Sequence, residues 1–257
     1  MKKTGKFRMI VLVLTVTAAL VCMVSAAGLA EYRQEEGSQS QGATSGGQAQ
    51  SESSVQTVDK ATSAVQTIFS RTDNRIPPEV LRNAKAVAIF PGVTKAGLIL
   101  GGSYGTGVLM MKQNNEWNGP LFLSLYGGSI GAQIGAEKSD LLMVFNTDKA
   151  LRDLQDGSLQ FGAEASVAAG PYGEKKEVST ADILAYQQSK GGFVGVAFNS
   201  GYLKFNPDAD SQYYQAEKGG RAYYPSAEEM ISGKKAPQTQ QADQLTKVLD
   251  QYANQSK

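Results

Sequence analysis

The pattern Gly-Gly-x-x-Gly occurs three times in this chain, at Gly101, Gly102 and Gly105, at Gly127, Gly128 and Gly131, and at Gly191, Gly192 and Gly195. Whatever the chain folds into must accommodate that much bare backbone. Glycine weakens a strand interior by its conformational entropy, and it is kept where a bulge, a sharp coil or a close backbone approach needs a residue without a Cβ. The nine glycines therefore read as structural, in a curved sheet or small barrel. The competing use is a phosphate-cradling loop, but none of the three copies continues into Gly-Lys-Ser/Thr or into a dinucleotide fingerprint that opens a helix.

The sequence around these glycines has a period of two. Ile130, Ala132, Ile134 and Ala136 alternate with Ser129, Gly131, Gln133 and Gly135, and Leu159, Phe161, Ala163, Ala165 and Val167 alternate with small or polar residues. That pattern puts apolar groups on one face of a strand, so each run is expected to be one strand. Leu141 to Phe145 is apolar throughout and reads as a central strand, while Val87 to Phe90 reads as a strand that Pro91-Gly92 ends. Helical spacing governs Val55 to Phe69, where Val55, Val58, Ala61, Val65, Ile68 and Phe69 form one stripe. Short helices are expected after Pro77-Pro78 and over Asp148 to Leu154. Leu245, Val248, Leu249 and Tyr252 suggest a terminal amphipathic helix, after a turn-rich stretch carrying Tyr213, Tyr214, Tyr223 and Tyr224. The fold class is thus α+β, with a glycine-rich, mostly antiparallel curved sheet or small barrel and flanking amphipathic helices.

The N-terminal segment reads as an export signal. Lys2, Lys3, Lys6 and Arg8 precede an apolar run from Met9 to Val24, and Val24-Ser25-Ala26 places small residues where a signal peptidase reads. Extended to Ala30, the apolar stretch reaches about 33 Å as a helix, so an uncleaved anchor is the competing reading. Four divisions follow: residues 1–26 as signal or anchor, 27–54 as a flexible Gln/Ser/Gly-rich tether, 55–232 as the domain, and 233–257 as a polar tail with a short helix. The expected location is outside the cytoplasm, periplasmic or extracellular.

Composition removes several kinds of chemistry. The chain has no histidine and one cysteine, Cys22, which lies inside the apolar run. Without histidine there is no Ser-His-Asp or Cys-His nucleophile pair and no imidazole metal ligand, and a cleaved chain keeps no thiol. Removing the four N-terminal cations leaves 21 basic against 24 acidic side chains, a net charge of −3. A nucleic-acid partner is therefore not expected, because phosphate neutralisation needs clustered Lys and Arg. Glu137, Asp140 and Glu164 are the carboxylates best placed for acid–base work, yet no spacing singles them out. No catalytic residue, cofactor or metal site is expected, although Asn206, Asp208, Asp210 and Glu217 partly match a calcium-loop spacing.

Longer segments carry a resemblance. IPPEVLRNAKAVAIFP, KAGLILGGSYGTGVL, WNGPLFLSLYGGSIGAQIGAEKSDLLMVF, the AAGPYG turn and SKGGFVGVAF together resemble the SYLF domain, also described as a yeast-type actin-binding domain, over about Ile76 to Tyr214. The resemblance implies helices on an antiparallel glycine-rich sheet, binding of phosphoinositides or other anionic lipids, and actin-filament binding in fungal members. Tyr213-Tyr214 is followed here by Gln215, where the family often has glycine. Actin binding is not carried over to an exported chain, so the expected function is non-enzymatic lipid binding at a membrane surface in the cell envelope. The alternative is a structural or adaptor protein that binds an envelope protein partner.

Candidate contact residues follow from the motifs and the first helix. Lys60 and Phe69 would meet headgroups if the helix stripe inserts, against the alternative that the stripe packs on the sheet. Lys95, Tyr104, Lys112 and Trp117 come from the resembling segments, and Trp beside Lys suits an interface with one wet side. Lys175-Lys176 and Lys234-Lys235 read as solvated surface.

Overall fold

The apolar stripe of the first helix is buried. In a computed structural model that describes residues 45–70, 76–97, 100–130, 135–161, 164–171, 181–189, 192–194, 200–218 and 224–255, α1 spans Ser45–Phe69, starting earlier than Val55. Val58, Ala61, Val65, Ile68 and Phe69 all lie in the core. The stripe therefore packs on the sheet instead of remaining free to insert. α2 (Pro78–Asn83) follows, with Pro at its first turn, where the missing N–H costs nothing.

The strands are β1 (Ala86–Gly97), β2 (Leu100–Gln113), β3 (Glu116–Ile130), β4 (Gly135–Phe145), β5 (Ser158–Phe161), β6 (Val167–Ala169), β7 (Ile183–Ser189), β8 (Gly192–Val194) and β9 (Ser200–Phe205). They form one sheet in the order β5-β9-β3-β2-β1-β4-β7-β6, with β8 paired to β7. All pairings are antiparallel except β6 with β7. The two edge strands β5 and β6 are successive in sequence, and a bridge joins Phe161, the last residue of β5, to Ala165, two residues before β6. The short connection between them keeps the two edges near each other, in a nearly closed, barrel-like sheet.

Three expectations are corrected here. Pro91-Gly92 does not end the first strand: Gly92 adopts φ +68°, its N–H bonds Asp140 Oδ1 at 2.8 Å, and β1 continues through this bulge to Gly97. The alternation from Ser129 to Ala136 is two strands, because β3 ends at Ile130 and β4 begins at Gly135; residues 131–134 lie outside those described. The run from Leu159 to Val167 is also divided. β5 pairs with β9 at one edge and β6 with β7 at the other, so this stretch changes neighbours to close the sheet. A period of two reports which face a residue occupies, and it is blind to a change of partner strand.

Leu141 to Phe145 is the central strand its composition implied, wholly buried between β1 and β7. α3 (Asp148–Gln155) follows, with Thr147 as its cap. α4 (Pro207–Lys218) replaces the turns expected around Tyr213 and Tyr214. α5 (Ala227–Ile231) opens with a reciprocal capping box between Ser226 and Glu229, and α6 (Gln240–Ala253) is the terminal amphipathic helix.

Each face of the sheet has its own core. On one face Val87, Ile89, Val108, Met110, Phe122 and Val144 meet α1, α2, α4 and α6. On the other, Phe90, Leu109, Leu123, Leu141, Phe161 and Leu203 fill the inside of the curl together with α3 and α5. Among the described residues, no helix is long and apolar enough to cross a membrane.

Candidate functional site

The described glycines of the three motifs lie towards one end of the sheet. Gly102 lies opposite Gly128, and Gly127 opposite Gly201, while Gly97 faces Gly101 on one side and Gly135 on the other. Gly192 pairs with Ser189, which in turn lies opposite Ser139 of β4. Gly131, Gly191 and Gly195 lie outside the described residues. Among the described strands, the tightest backbone approach is at Gly107, which belongs to none of the three motifs. A Cβ there would stand 2.3 Å from the Ile89 carbonyl and 2.4 Å from the Phe90 ring, whereas one at Gly102 would meet nothing.

Two residues in from this rim runs a row of tyrosines. Tyr104 of β2 lies opposite Tyr126 of β3, and Tyr126 opposite Tyr202 of β9. The rings of Tyr126 and Tyr202 stack at 4.8 Å, and Tyr104 and Tyr126 lean together at 5.3 Å. The row extends to Gln160 at one end and through Thr94 to Lys138 at the other, crossing six strands. It shares the sheet face of Phe122 and Val108, but the helices stop short of it. These three are the large hydrophobic side chains that stand exposed among the described residues, at 51%, 36% and 43% of full accessibility. Cross-strand aromatic contacts stiffen the row, so its exposed area is presented with little further entropy loss.

Beside the row lies a cleft of about 360 Å³ between α1 and the start of α4, lined by Ser53, Thr57, Thr106, Asp208 and Gln212 over Phe122. Thr106 links it to the row, since its hydroxyl hydrogen-bonds Tyr104 Oη at 3.3 Å.

The residues expected to meet lipid do not form one patch. Tyr104 is in the row. Lys95 falls on the opposite sheet face, because its neighbour Thr94 is the residue paired with Tyr104. Lys112 and Trp117 face each other across β2 and β3, with Nζ 5.2 Å from the ring centre. They lie eight residues along β2 from Tyr104, about 26 Å at strand rise. Trp117 is buried and donates Nε1–H to Asp250 Oδ1 at 3.0 Å. Lys112 Nζ donates to the carbonyls of Leu81 and Arg82 at the end of α2. Burial lowers the Lys112 pKa, and Asp250 opposes that shift. This pair therefore fastens α2 and α6 to the sheet. Phe69 is in the core, stacked 4.8 Å from Tyr252, and Lys60 is exposed on α1.

The carboxylates also hold structure together. Asp140 fixes the β1 bulge, and Glu164 Oε2 accepts the Gln160 N–H at 2.7 Å. The segment with partial calcium-loop spacing is helical: Asn206 caps α4 by accepting the Ala209 N–H, and Asp210 is buried against β3. Lys234 and Lys235 pair with Glu229 and Glu116, while Lys175-Lys176 lies outside the described residues.

Sequence motifs do not single out Tyr126 and Tyr202 as contact groups, nor Asp210 as a buried one. A signal is present for the tyrosines: Tyr104-Gly105, Tyr126-Gly127 and Gly201-Tyr202 each put a tyrosine directly beside a glycine at the rim.

Comparison with known proteins gives a consistent picture. The family described as Ysc84, Las17-binding protein actin regulator, matches residues 126–252. The match takes in α6, beyond the expected domain limit at 232. LAS seventeen-binding protein 3 of Saccharomyces cerevisiae is 31% identical over 151 residues, covering 55% of this chain and 33% of its own length. An SH3 domain-containing protein of Schizosaccharomyces pombe is 32% identical over 184 residues, covering 68% of this chain and 41% of its own. The human SH3 domain-containing YSC84-like protein 1 is 30% identical over 187 residues, covering 70% and 52% respectively. The chain thus spans about a third to a half of the length of these relatives. No solved structure matches the chain. With the segments around the glycine rim supplying the first indication, the chain belongs to the Ysc84, or SYLF, domain family.

Proposed function

We propose that this domain is a non-enzymatic module that docks on a phospholipid membrane surface through the glycine-rimmed end of its sheet, in an exported protein of the cell envelope. The observation that carries this reading is the row of three exposed, mutually packed tyrosines. Tyrosine suits a bilayer interface because its ring is apolar and its hydroxyl is wet. Lys138 at the end of the row, and Lys204 two residues along β9 from Tyr202 on the same face, would each add about 1 kcal/mol near an anionic surface. With a net charge of −3 after signal removal, the chain has little overall attraction for such a surface, so the aromatic contact dominates.

Vesicle co-sedimentation of the chain beginning at Ala27 tests the reading. Wild type should pellet with vesicles at low and at moderate salt, and a Tyr104→Ser/Tyr126→Ser/Tyr202→Ser variant that remains folded should stay in the supernatant. Equal pelleting of both would overturn the assignment of the face.

The second reading is an adaptor that binds a protein partner. The names of the relatives favour it, since the family is described as Las17-binding and two relatives carry SH3 domains. The same tyrosine row would serve as its contact, because aromatic residues dominate interface cores. Retention of partner capture by the triple variant would count against sharing of the face.

A further inference from the structure

The cleft between α1 and α4 is of ligand size and has its own chemistry. Its volume of about 360 Å³ is at the lower end of the range for small-molecule sites. Two of its hydroxyls, those of Thr57 and Thr106, have acceptor capacity to offer. The Thr57 hydroxyl donates its only hydrogen to the Ser53 carbonyl at 2.8 Å, so towards the cleft that oxygen can only accept. Thr106 shares one hydrogen bond with Tyr104 and keeps lone pairs to spare. Asn206, at the base, accepts from Ala209 N through Oδ1 and donates one of its two Nδ2 hydrogens to Ser124 Oγ at 3.5 Å.

Charge points the same way. Asp208, in the first turn of α4, is exposed and is the one ionised side chain in the described lining, which contains no lysine or arginine. A helix N-terminus ordinarily offers amide donors to an anion. Here Ala209 N is used by the Asn206 side chain and Asp210 N by the Asn206 carbonyl at 3.1 Å. A phosphate or carboxylate would meet the Asp208 charge, with the Ala209 and Asp210 amides already committed. A primary ammonium group brings three donors and a positive charge to a site that offers acceptors and one carboxylate.

We propose that the cleft between α1 and α4 binds a small organic ammonium ion, held by the Asp208 carboxylate and the acceptor lone pairs of Thr57 and Thr106. This site adjoins the tyrosine row at Thr106 but does not depend on the membrane reading. The ammonium could arrive as a free amine or as the headgroup of an aminophospholipid.

The test is calorimetric titration of the chain beginning at Ala27, with ethanolamine as the probe and ethylene glycol and inorganic phosphate as the neutral and anionic controls at matched ionic strength. Ethanolamine should bind saturably, and the two controls should not. Asp208→Asn, at an exposed position that should not disturb folding, should weaken ethanolamine binding by about tenfold or more, as expected for loss of a charge-assisted hydrogen bond. Thr57→Val, which keeps the shape and removes the acceptor, should weaken it less. The proposal is overturned if ethanolamine gives no binding, if ethylene glycol or phosphate binds as well, or if Asp208→Asn binds unchanged. A vesicle arm separates the two sources. Stronger pelleting with phosphatidylethanolamine than with phosphatidylcholine, lost in Asp208→Asn, supports a lipid headgroup; binding of free ethanolamine without that preference supports a soluble amine.

Discussion

The Asp210 carboxylate accepts the backbone N–H of Phe122 at 2.7 Å in the interior, between the first turn of α4 and the middle of β3. Phe122 N is thereby satisfied and α4 is tied to the sheet. Asp210 is only 3% exposed, and burial pushes its pKa up to about 7, the Phe122 N–H opposing part of that rise. The buried hydroxyl of Tyr214, which donates to the Pro120 carbonyl at 2.7 Å, has its pKa raised as well, by burial first and then by the neighbouring charges of Tyr213 and Asp210.

The sign of the pH effect follows. The folded pKa of Asp210 lies above its unfolded value near 3.9, so the native state binds the proton more tightly. Its contribution is fully present below that unfolded value and is lost as pH rises to about 7. Across that window, chemical denaturation should show stability falling by up to about 4 kcal/mol from this group. Asp210→Asn keeps an acceptor for Phe122 N–H without the charge. It should flatten the profile and be more stable than wild type above neutrality.

Two glycines in β2 separate close packing from motif membership. Gly107→Ala would place a Cβ against the Ile89 carbonyl and the Phe90 ring, and should destabilise by about 2 kcal/mol or more. Gly102→Ala, within a repeated motif but facing open space, should change stability by less than about 1 kcal/mol. Urea denaturation of the two variants makes the comparison directly.

Asp250 serves two partners on β2 and β3. It accepts Trp117 Nε1–H and offsets the cost of burying Lys112. Asp250→Ala leaves the indole donor without this acceptor and should cost about 1–3 kcal/mol. Trp117 emission in the folded state should shift, reporting the change where it occurs.

The elements are more legible in the sequence than their connections. α1 and α6 follow from their helical spacing, the buried middle of β4 from an unbroken apolar run, and α3 from a short local segment, and each is present. The breaks between β3 and β4 and between β5 and β6 are hidden because alternation continues across a change of partner. Pro91-Gly92 looks like a terminus because the local sequence cannot announce the distant Asp140 that satisfies Gly92 N. Lys112 and Trp117 stand out as a pair, but their role in fastening α2 and α6 depends on Asp250, far along the chain. Tyr104 is marked by its motif, whereas Tyr126 and Tyr202 become its neighbours only through strand register.

The docking claim is tested most directly by a reporter placed within the tyrosine row. Tyr104→Trp, mixed with vesicles carrying lipids brominated near the headgroup, should give a second tryptophan emission that moves to the blue and is quenched, while buried Trp117 is unaffected. Pelleting of the protein with an unshifted, unquenched signal from the introduced indole would contradict the account and place the contact on another face.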